Sequence, residues 1–337
     1  MPKRIYKNVQ DKMDDKIATS STSTSKKGAT KDFIESFFFY PKFYHLLLAF
    51  LLLPFSFIYS LITMLLKLLT PKKDFNIPII SIGNLVSGGS GKTPFCIAVA
   101  RLLDSKGMDG VFIVSRGYKR KSKGVQVVSL KGALKLAVNL AGDEPYLMAR
   151  MTKASVIVSE DRKLGILSAK RLGAKVIILD DGYRFNYKKL DILLKPSLKP
   201  VLPFTLPSGY YRFYPFYYRF CDLCLEEGKD YKRHVSLEHA SPAMLLVTAI
   251  AQSSRLKPYL DSRVVGFVSY KDHASFEEKT LEDLLSRYNA TSILMTQKDV
   301  IKCEGYSLPF SLLNLEISIE SKAMEEIIKY ASSYYEG

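Results

Sequence analysis

This chain has no zinc-finger spacing and no RNA-binding aromatic signature, and its four cysteines cannot build a disulfide framework for 337 residues. Nucleic-acid readers of those classes and disulfide-stapled secreted scaffolds are thereby set aside. Cys221-Asp-Leu-Cys224 is a lone C-x-x-C without a second pair, and because a zinc site needs four ligands at matching spacing, it reads as incidental. Acidic residues are scarce too: 33 stand against 49 Lys and Arg, and the net charge of +16 points to an anionic partner. Many of the lysines flank an apolar segment instead of lining one basic helix. Phospholipid or a phosphorylated small molecule therefore fits the charge better than nucleic acid does.

Composition divides the chain. Residues 1–32 are polar, with Ser20-Ser-Thr-Ser-Thr-Ser25 and scattered lysines, and carry too little apolar surface to order themselves, so they read as a disordered tail. From Leu46 to Leu66 no side chain is charged, about the length that carries a helix across a bilayer core. Tyr40, Phe43, Tyr44 and His45 at one end and Lys67, Lys72 and Lys73 at the other suit interfacial anchoring, so residues 33–73 read as a membrane-associated helix. Pro54 is expected to kink that helix, and the run begins too far into the chain for a secretory signal.

Residues 74–233 alternate apolar runs with helical stretches, the pattern of a parallel sheet covered by crossover helices. Ile77 to Ile82, Val111 to Val114, Ser155 to Val158 and Val176 to Leu179 read as strands, and Phe95 to Ser105 as a helix closed by Gly107. Residues 234–337 repeat the alternation on a smaller scale, with strands at Met244 to Ile250, Val264 to Val268 and Ile293 to Met295. The fold class is α/β, a P-loop NTPase-like core followed by a smaller C-terminal α/β domain. Pro200 to Arg219, crowded with Pro, Tyr, Phe and Arg, reads as an irregular surface or cleft wall.

The chemistry concentrates at Ile79-Ile-Ser-Ile-Gly83-Asn84-Leu-Val-Ser-Gly88-Gly89-Ser90-Gly91-Lys92-Thr93-Pro94. An apolar strand, a glycine-rich loop and a helix start around Gly-Lys-Thr form a nucleotide phosphate cradle. Gly88, Gly89, Ser90 and Gly91 turn backbone N–H groups toward phosphate oxygens, Lys92 adds a cation, and the Thr93 hydroxyl suits Mg²⁺. The strict pattern wants a glycine where Val86 stands. A second signal is Lys175-Val-Ile-Ile-Leu179-Asp180-Asp181-Gly182, a strand delivering two carboxylates at the edge where open α/β sheets bind ligands. In a P-loop enzyme an acidic residue there serves Mg²⁺. Taken by themselves, Asp143-Glu144 before Pro145 do no more than cap a helix, and Asp272-His273 reads as a loop.

Asn84 and the loop through Pro94, Ser115-Arg-Gly-Tyr118, Gly142-Asp-Glu-Pro145, Asp180-Asp-Gly-Tyr183, Leu206-Pro-Ser-Gly209 with Arg212, Val247-Thr-Ala249, Asp272-His273 and Thr296-Gln-Lys-Asp299 occur in this order. Together they resemble the tetraacyldisaccharide 4′-kinase (lipid A 4′-kinase) family of Gram-negative bacteria, from about Phe33 to the end. The family loop likewise lacks the first glycine, and an apolar N-terminal helix belongs to it. The resemblance implies transfer of the ATP γ-phosphate to the 4′-hydroxyl of tetraacyldisaccharide 1-phosphate, giving lipid IVA, by an enzyme on the inner membrane with its catalytic domains facing the cytoplasm.

The resemblance also distributes roles. Lys92 and the loop amides would hold the β- and γ-phosphates, Thr93, Asp180, Asp181 and Glu144 would serve Mg²⁺, and Arg212 would neutralise developing charge. Asp143 would take the sugar hydroxyl proton with His273 as its partner. Arg184-Phe185 replaces the usual Gln-His, Phe213 replaces a carboxylate after Arg212, and Gln297 stands where a glutamate is more usual, the mark of a divergent branch. Two other function classes fit the same features: a membrane-bound P-loop ATPase acting on a protein partner through the cradle, and a non-catalytic membrane-associated module whose tail and basic flank hold anionic lipid. Neither needs a base for an alcohol, so Asp143 and His273 discriminate.

Overall fold

β1 (Ile79–Gly83) is buried from end to end. A strand hidden on both faces needs parallel neighbours covered by helices, and sinking each of Ile79, Ile80 and Ile82 is worth roughly 1.5–3 kcal/mol. β1 starts later than the apolar run from Ile77 implies, because Pro78 has no N–H and enters the ladder only through its carbonyl, which accepts from Ile177. The structure, a computed structural model, describes residues 33–34, 36–88, 91–250 and 253–334. The tail over residues 1–32, and Gly89 and Ser90 of the loop, lie outside the described residues.

β1 pairs in parallel with β6 (Val176–Asp180) on one side and β7 (Leu190–Leu194) on the other. Beyond β6 come β2 (Val111–Ser115) and β5 (Ser155–Val158), also parallel, then an antiparallel rim of β3 (Gln126–Leu130) and β4 (Ala133–Leu134). β8 (Leu223–Leu225) closes the other side, giving the order β4-β3-β5-β2-β6-β1-β7-β8. The expected parallel-sheet α/β core is therefore present.

α1 (Phe43–Leu69) runs through Pro54 as one element. Its buried positions, His45, Ala49 and Ser56, lie on one stripe, while Phe43, Phe50, Leu51, Phe57, Leu68 and Leu69 are exposed. The stripe is fixed by hydrogen bonds to a distant segment: Ser56 Oγ donates to the Thr205 carbonyl at 2.8 Å and accepts from Ser208 N–H at 2.9 Å, and Ser60 Oγ meets Thr205 Oγ1 at 2.7 Å. Between the helix and the irregular Pro200–Arg219 stretch lies an apolar cleft of about 620 Å³, lined among others by Leu53, Phe57, Leu61, Met64, Phe204 and Phe216.

α2 (Lys92–Ser105) begins three residues before the expected Phe95, so Lys92, Thr93 and Pro94 form its first turn. It buries Phe95, Val99 and Leu103 at helical spacing, and Gly107 follows its end at φ 74°, the left-handed position a glycine supplies. α3 (Val138–Ala141) and α4 (Asp143–Met151) meet at Gly142, and α5 (Arg162–Arg171) is capped by Asp161 accepting from Lys163 and Leu164 N–H.

Two compact units result. The larger holds Phe33–Arg233 together with Glu316–Gly337, and the described part of the smaller is His234–Leu315. The chain leaves one unit within β9 (Tyr231–Glu238) and returns within β13 (Phe310–Ile319). The smaller sheet has the order β11-β10-β12-β13-β9, with β10 (Met244–Thr248), β11 (Val264–Ser269) and β12 (Ser292–Thr296) in parallel. α6 (Glu278–Arg287) and the short α7 (Gln297–Val300) belong to it. Where the sequence reading carried the smaller domain from 234 to the end of the chain, α8 (Ser321–Ser332) instead groups with the larger unit. Its buried Ala323, Ile327 and Ala331 make the stripe that seats it there.

Candidate active site

The register Ile82↔Asp180 between neighbouring strands brings the loop after β1 and the carboxylates ending β6 to the same sheet edge. Gly88 and Gly91 sit at φ 93° and 80°, conformations a side chain resists, so the loop turns back into the start of α2. Lys92 then returns over the loop: its Nζ donates to Asn84 Oδ1 at 3.0 Å and stands 3.7 Å from Asp181.

Asp181, at φ 52°, takes both ends of Arg212, at 2.9 and 2.8 Å. Arg212 also donates to Asn84 Oδ1 at 2.6 Å and, through Nε, to the Val86 carbonyl at 3.1 Å. Lys92, Arg212, Asp181 and Asn84 are thus one charge-assisted cluster. Burial works against the Asp181 charge, but the Arg212 hydrogen bonds and the Lys92 and Arg212 charges outweigh it and hold the carboxyl well below its usual range. Asn84 is buried, and its Nδ2 has no hydrogen-bond partner among the described residues. A buried amide donor left so is costly unless a ligand oxygen meets it.

Asp180, one residue earlier, behaves oppositely. It is buried beneath the edge, accepts from Ser115 Oγ at 2.7 Å, and lies 4.0 Å from Cys96 Sγ. Burial first, then the Glu144 and Asp181 charges, push it up to about 6. Glu144 and Asp143 open α4, entered through Gly142 at φ 89°, where a Cβ would lie 3.1 Å from the Tyr118 carbonyl. Thr93 sits in the first turn of α2. Next in the chain, Tyr183 receives the Lys67 ammonium of α1 over its ring at 3.6 Å, tying the apolar helix to the Asp-Asp-Gly turn.

The smaller unit gathers three quoted stretches at one edge of its sheet. Buried Asp299 accepts from Thr248 Oγ1 at 2.7 Å, Thr296 Oγ1 at 2.8 Å and Ala249 N–H at 3.2 Å, with Lys302 at 3.5 Å. His273, at φ 65°, donates its backbone N–H to the Ala249 carbonyl at 3.1 Å, and its Nε2 stands 3.6 Å from Asp272 Oδ2. Lys298 faces Asp272 from 3.9 Å.

The larger unit therefore unites Lys92, Arg212 and Asp181 directly, with Asp180 on the same edge, and Asp143 and Glu144 at one helix start. His273 belongs to the smaller unit. Sequence reasoning assigned no role to Asn84 or Asp299, although both stood in the quoted stretches, and it missed Arg162. Buried Arg162 donates to the Ser159 carbonyl at 2.7 Å and the Asp180 carbonyl at 3.4 Å, and burial draws it down to about 10.

Comparison with known proteins follows the same lines. The family model described as tetraacyldisaccharide-1-P 4′-kinase matches residues 48–212 and 223–332. The tetraacyldisaccharide 4′-kinase of Helicobacter acinonychis is 48% identical over 305 residues, covering 90% of this chain and 96% of the relative. That of Campylobacter jejuni subsp. jejuni serotype O:2 is 41% identical over 305 residues, covering 89% and 96%. The crystal structure of LpxK from Aquifex aeolicus in complex with ATP superposes with a TM-score of 0.68 at 31% identity, covering 84% of this chain and 99% of that one.

Proposed function

The chain belongs to the tetraacyldisaccharide-1-P 4′-kinase family, and from that premise we propose how its residues carry the ATP-dependent phosphorylation of the lipid A precursor. The observation that carries the reading is the Lys92–Asp181–Arg212–Asn84 cluster at the mouth of a glycine loop, with one buried amide donor unmatched.

Lys92 and the loop amides hold the β- and γ-phosphates of ATP, and Asn84 Nδ2 supplies a further donor. Arg212 releases Asp181 as phosphate oxygens arrive and neutralises charge on the transferred group. Asp143 accepts the 4′-hydroxyl proton on a carboxylate oxygen as that hydroxyl oxygen bonds to the γ-phosphorus and the bond to ADP breaks. His273 is the partner that strengthens Asp143 as a base.

The oxygen donors Thr93, Asp180, Asp181 and Glu144 fit Mg²⁺. Burial raises Asp180 most, and the Glu144 and Asp181 charges add a repulsion that a cation would relieve. When bound, it supplies neutralisation of the polyphosphate.

The exposed apolar face of α1, with Lys72 and Lys73 beyond its end, rests on the lipid surface of the inner membrane, with the catalytic units in the cytoplasm where ATP is. Lys67, expected among the anchoring lysines, instead turns inward over Tyr183. The apolar cleft between α1 and Phe204–Tyr217 suits an acyl chain of the disaccharide substrate. Incubation with ATP labelled at the γ-phosphate and tetraacyldisaccharide 1-phosphate is the test. Label in the lipid is expected; label only in free phosphate means that the chain is an ATPase instead, and no turnover overturns both.

A further inference from the structure

β9 alternates buried and exposed positions, so Tyr231 and Arg233 share one face and Lys232 takes the other, where it pairs with Glu320 at 2.8 Å. Tyr231 is buried edge-on against Phe95 of α2, ring centroids 5.4 Å apart. That contact aims the shared face at the helix carrying Lys92, and Arg233 extends to its beginning. A Cβ built on Gly91 would lie 3.1 Å from Arg233 Nη2.

A guanidinium there is electrostatically misplaced. Gly91 caps the N-terminus of α2, the positive end of the helix dipole, and Lys92 follows at once. A guanidinium at a helix start is disfavoured by the dipole, and a fold needing only a prop would place an anion or a neutral amide there. Glu227 relieves part of the repulsion at 3.2 Å from Arg233 Nη2 and is itself anchored by Ser197 Oγ at 2.6 Å. Arg233 Nε remains buried without a hydrogen-bond partner among the described residues. Collected positive charge with an unmatched donor is the arrangement an incoming polyanion completes.

We propose that Arg233 is a second cation of the phosphate cradle, held by Glu227 until the polyphosphate of the nucleotide arrives. The inference rests on the nucleotide reading of the loop. Glu227 sets the strength of the site by competing for the guanidinium, so the two residues act on nucleotide affinity with opposite signs.

The test is titration of the full chain in detergent with ADP and with AMP, followed calorimetrically. Arg233→Ala is expected to weaken ADP by about ten- to a hundredfold, the range for a charged hydrogen bond, and AMP by less. Glu227→Gln is expected to tighten ADP several-fold, which a merely structural ion pair would not do, and Arg233→Lys to recover part of the loss. Unchanged ADP affinity in Arg233→Ala, equal losses for ADP and AMP, or weaker ADP binding in Glu227→Gln would each overturn the proposal. Failure of the unsubstituted chain to bind ADP would instead overturn the nucleotide reading beneath it.

Discussion

Asp181 in the larger unit and Asp299 in the smaller are both carboxylates at a sheet edge, yet they are held in different ways. Asp299 is fully buried and saturated: two threonine hydroxyls, a backbone N–H and Lys302 occupy it. Asp181 is partly open and, among the described residues, its carboxylate is held by the long side chains of Lys92 and Arg212, beside an amide donor that no described residue meets. Saturation by short neighbouring groups makes a carboxylate a fixture of the fold. Tenure by long cations makes one that can exchange partners, and that separates a site from a joint.

The sharpest way to break this contrast is Lys92→Ala. Transfer is expected to fall below detection while the chain stays folded by circular dichroism, because the lysine lies in the exchanging set and Arg212 still pairs with Asp181 when it is removed. Near-normal turnover would put Lys92 with the fixtures. Asp143→Ala is expected to lower kcat by about a hundred- to ten-thousandfold with far less change in ATP affinity, and His273→Ala to cost less. If the double variant is hardly worse than Asp143→Ala, the two act as a unit; fully multiplicative losses would dissolve the dyad.

Asp299→Ala tests the opposite side. Leaving Lys302 and two hydroxyls without their acceptor is expected to cost about 3–5 kcal/mol in urea unfolding, as breaking buried ion pairs does. A loss well under that would show that the saturated carboxylate is no joint. Ser56→Ala carries the smallest effect, about 1–3 kcal/mol, from stranding the buried Ser208 N–H. Unchanged stability there would mean that α1 is not fastened by hydrogen bonds.

The difference between the two carboxylates was only half legible in the sequence. Gly-Lys-Thr at a helix start and Asp-Asp after an apolar strand are local patterns, so Lys92, Asp180 and Asp181 could be singled out from spacing alone. That β1 and β6 are neighbours is a matter of strand order, which no spacing reports, and it alone brings those patterns to one edge. Asn84 was visible only as a letter in a stretch, because its part depends on Arg212 returning from far along the chain. Asp299 stood only as the last letter of Thr296-Gln-Lys-Asp; its burial depends on the placement of Thr248 in another strand. The short rim strands β3 and β4 went unread because their partly exposed residues give no continuous apolar run. β13 was overlooked for a related reason, since it alternates and crosses between units.

The Ser56–Thr205–Ser208 fastening divides the tolerance of α1 to mutation by face. Along the stripe of His45, Ala49 and Ser56 each position is buried, and Ser56 is hydrogen-bonded to Thr205 and Ser208, so a library of random substitutions there should return little besides the parent residue. On the outward face, Phe50, Leu51 and Leu68 are largely exposed, and such a library should return any greasy residue in any order. One helix would then drift under two clocks, a slow one facing the protein and a fast one facing away.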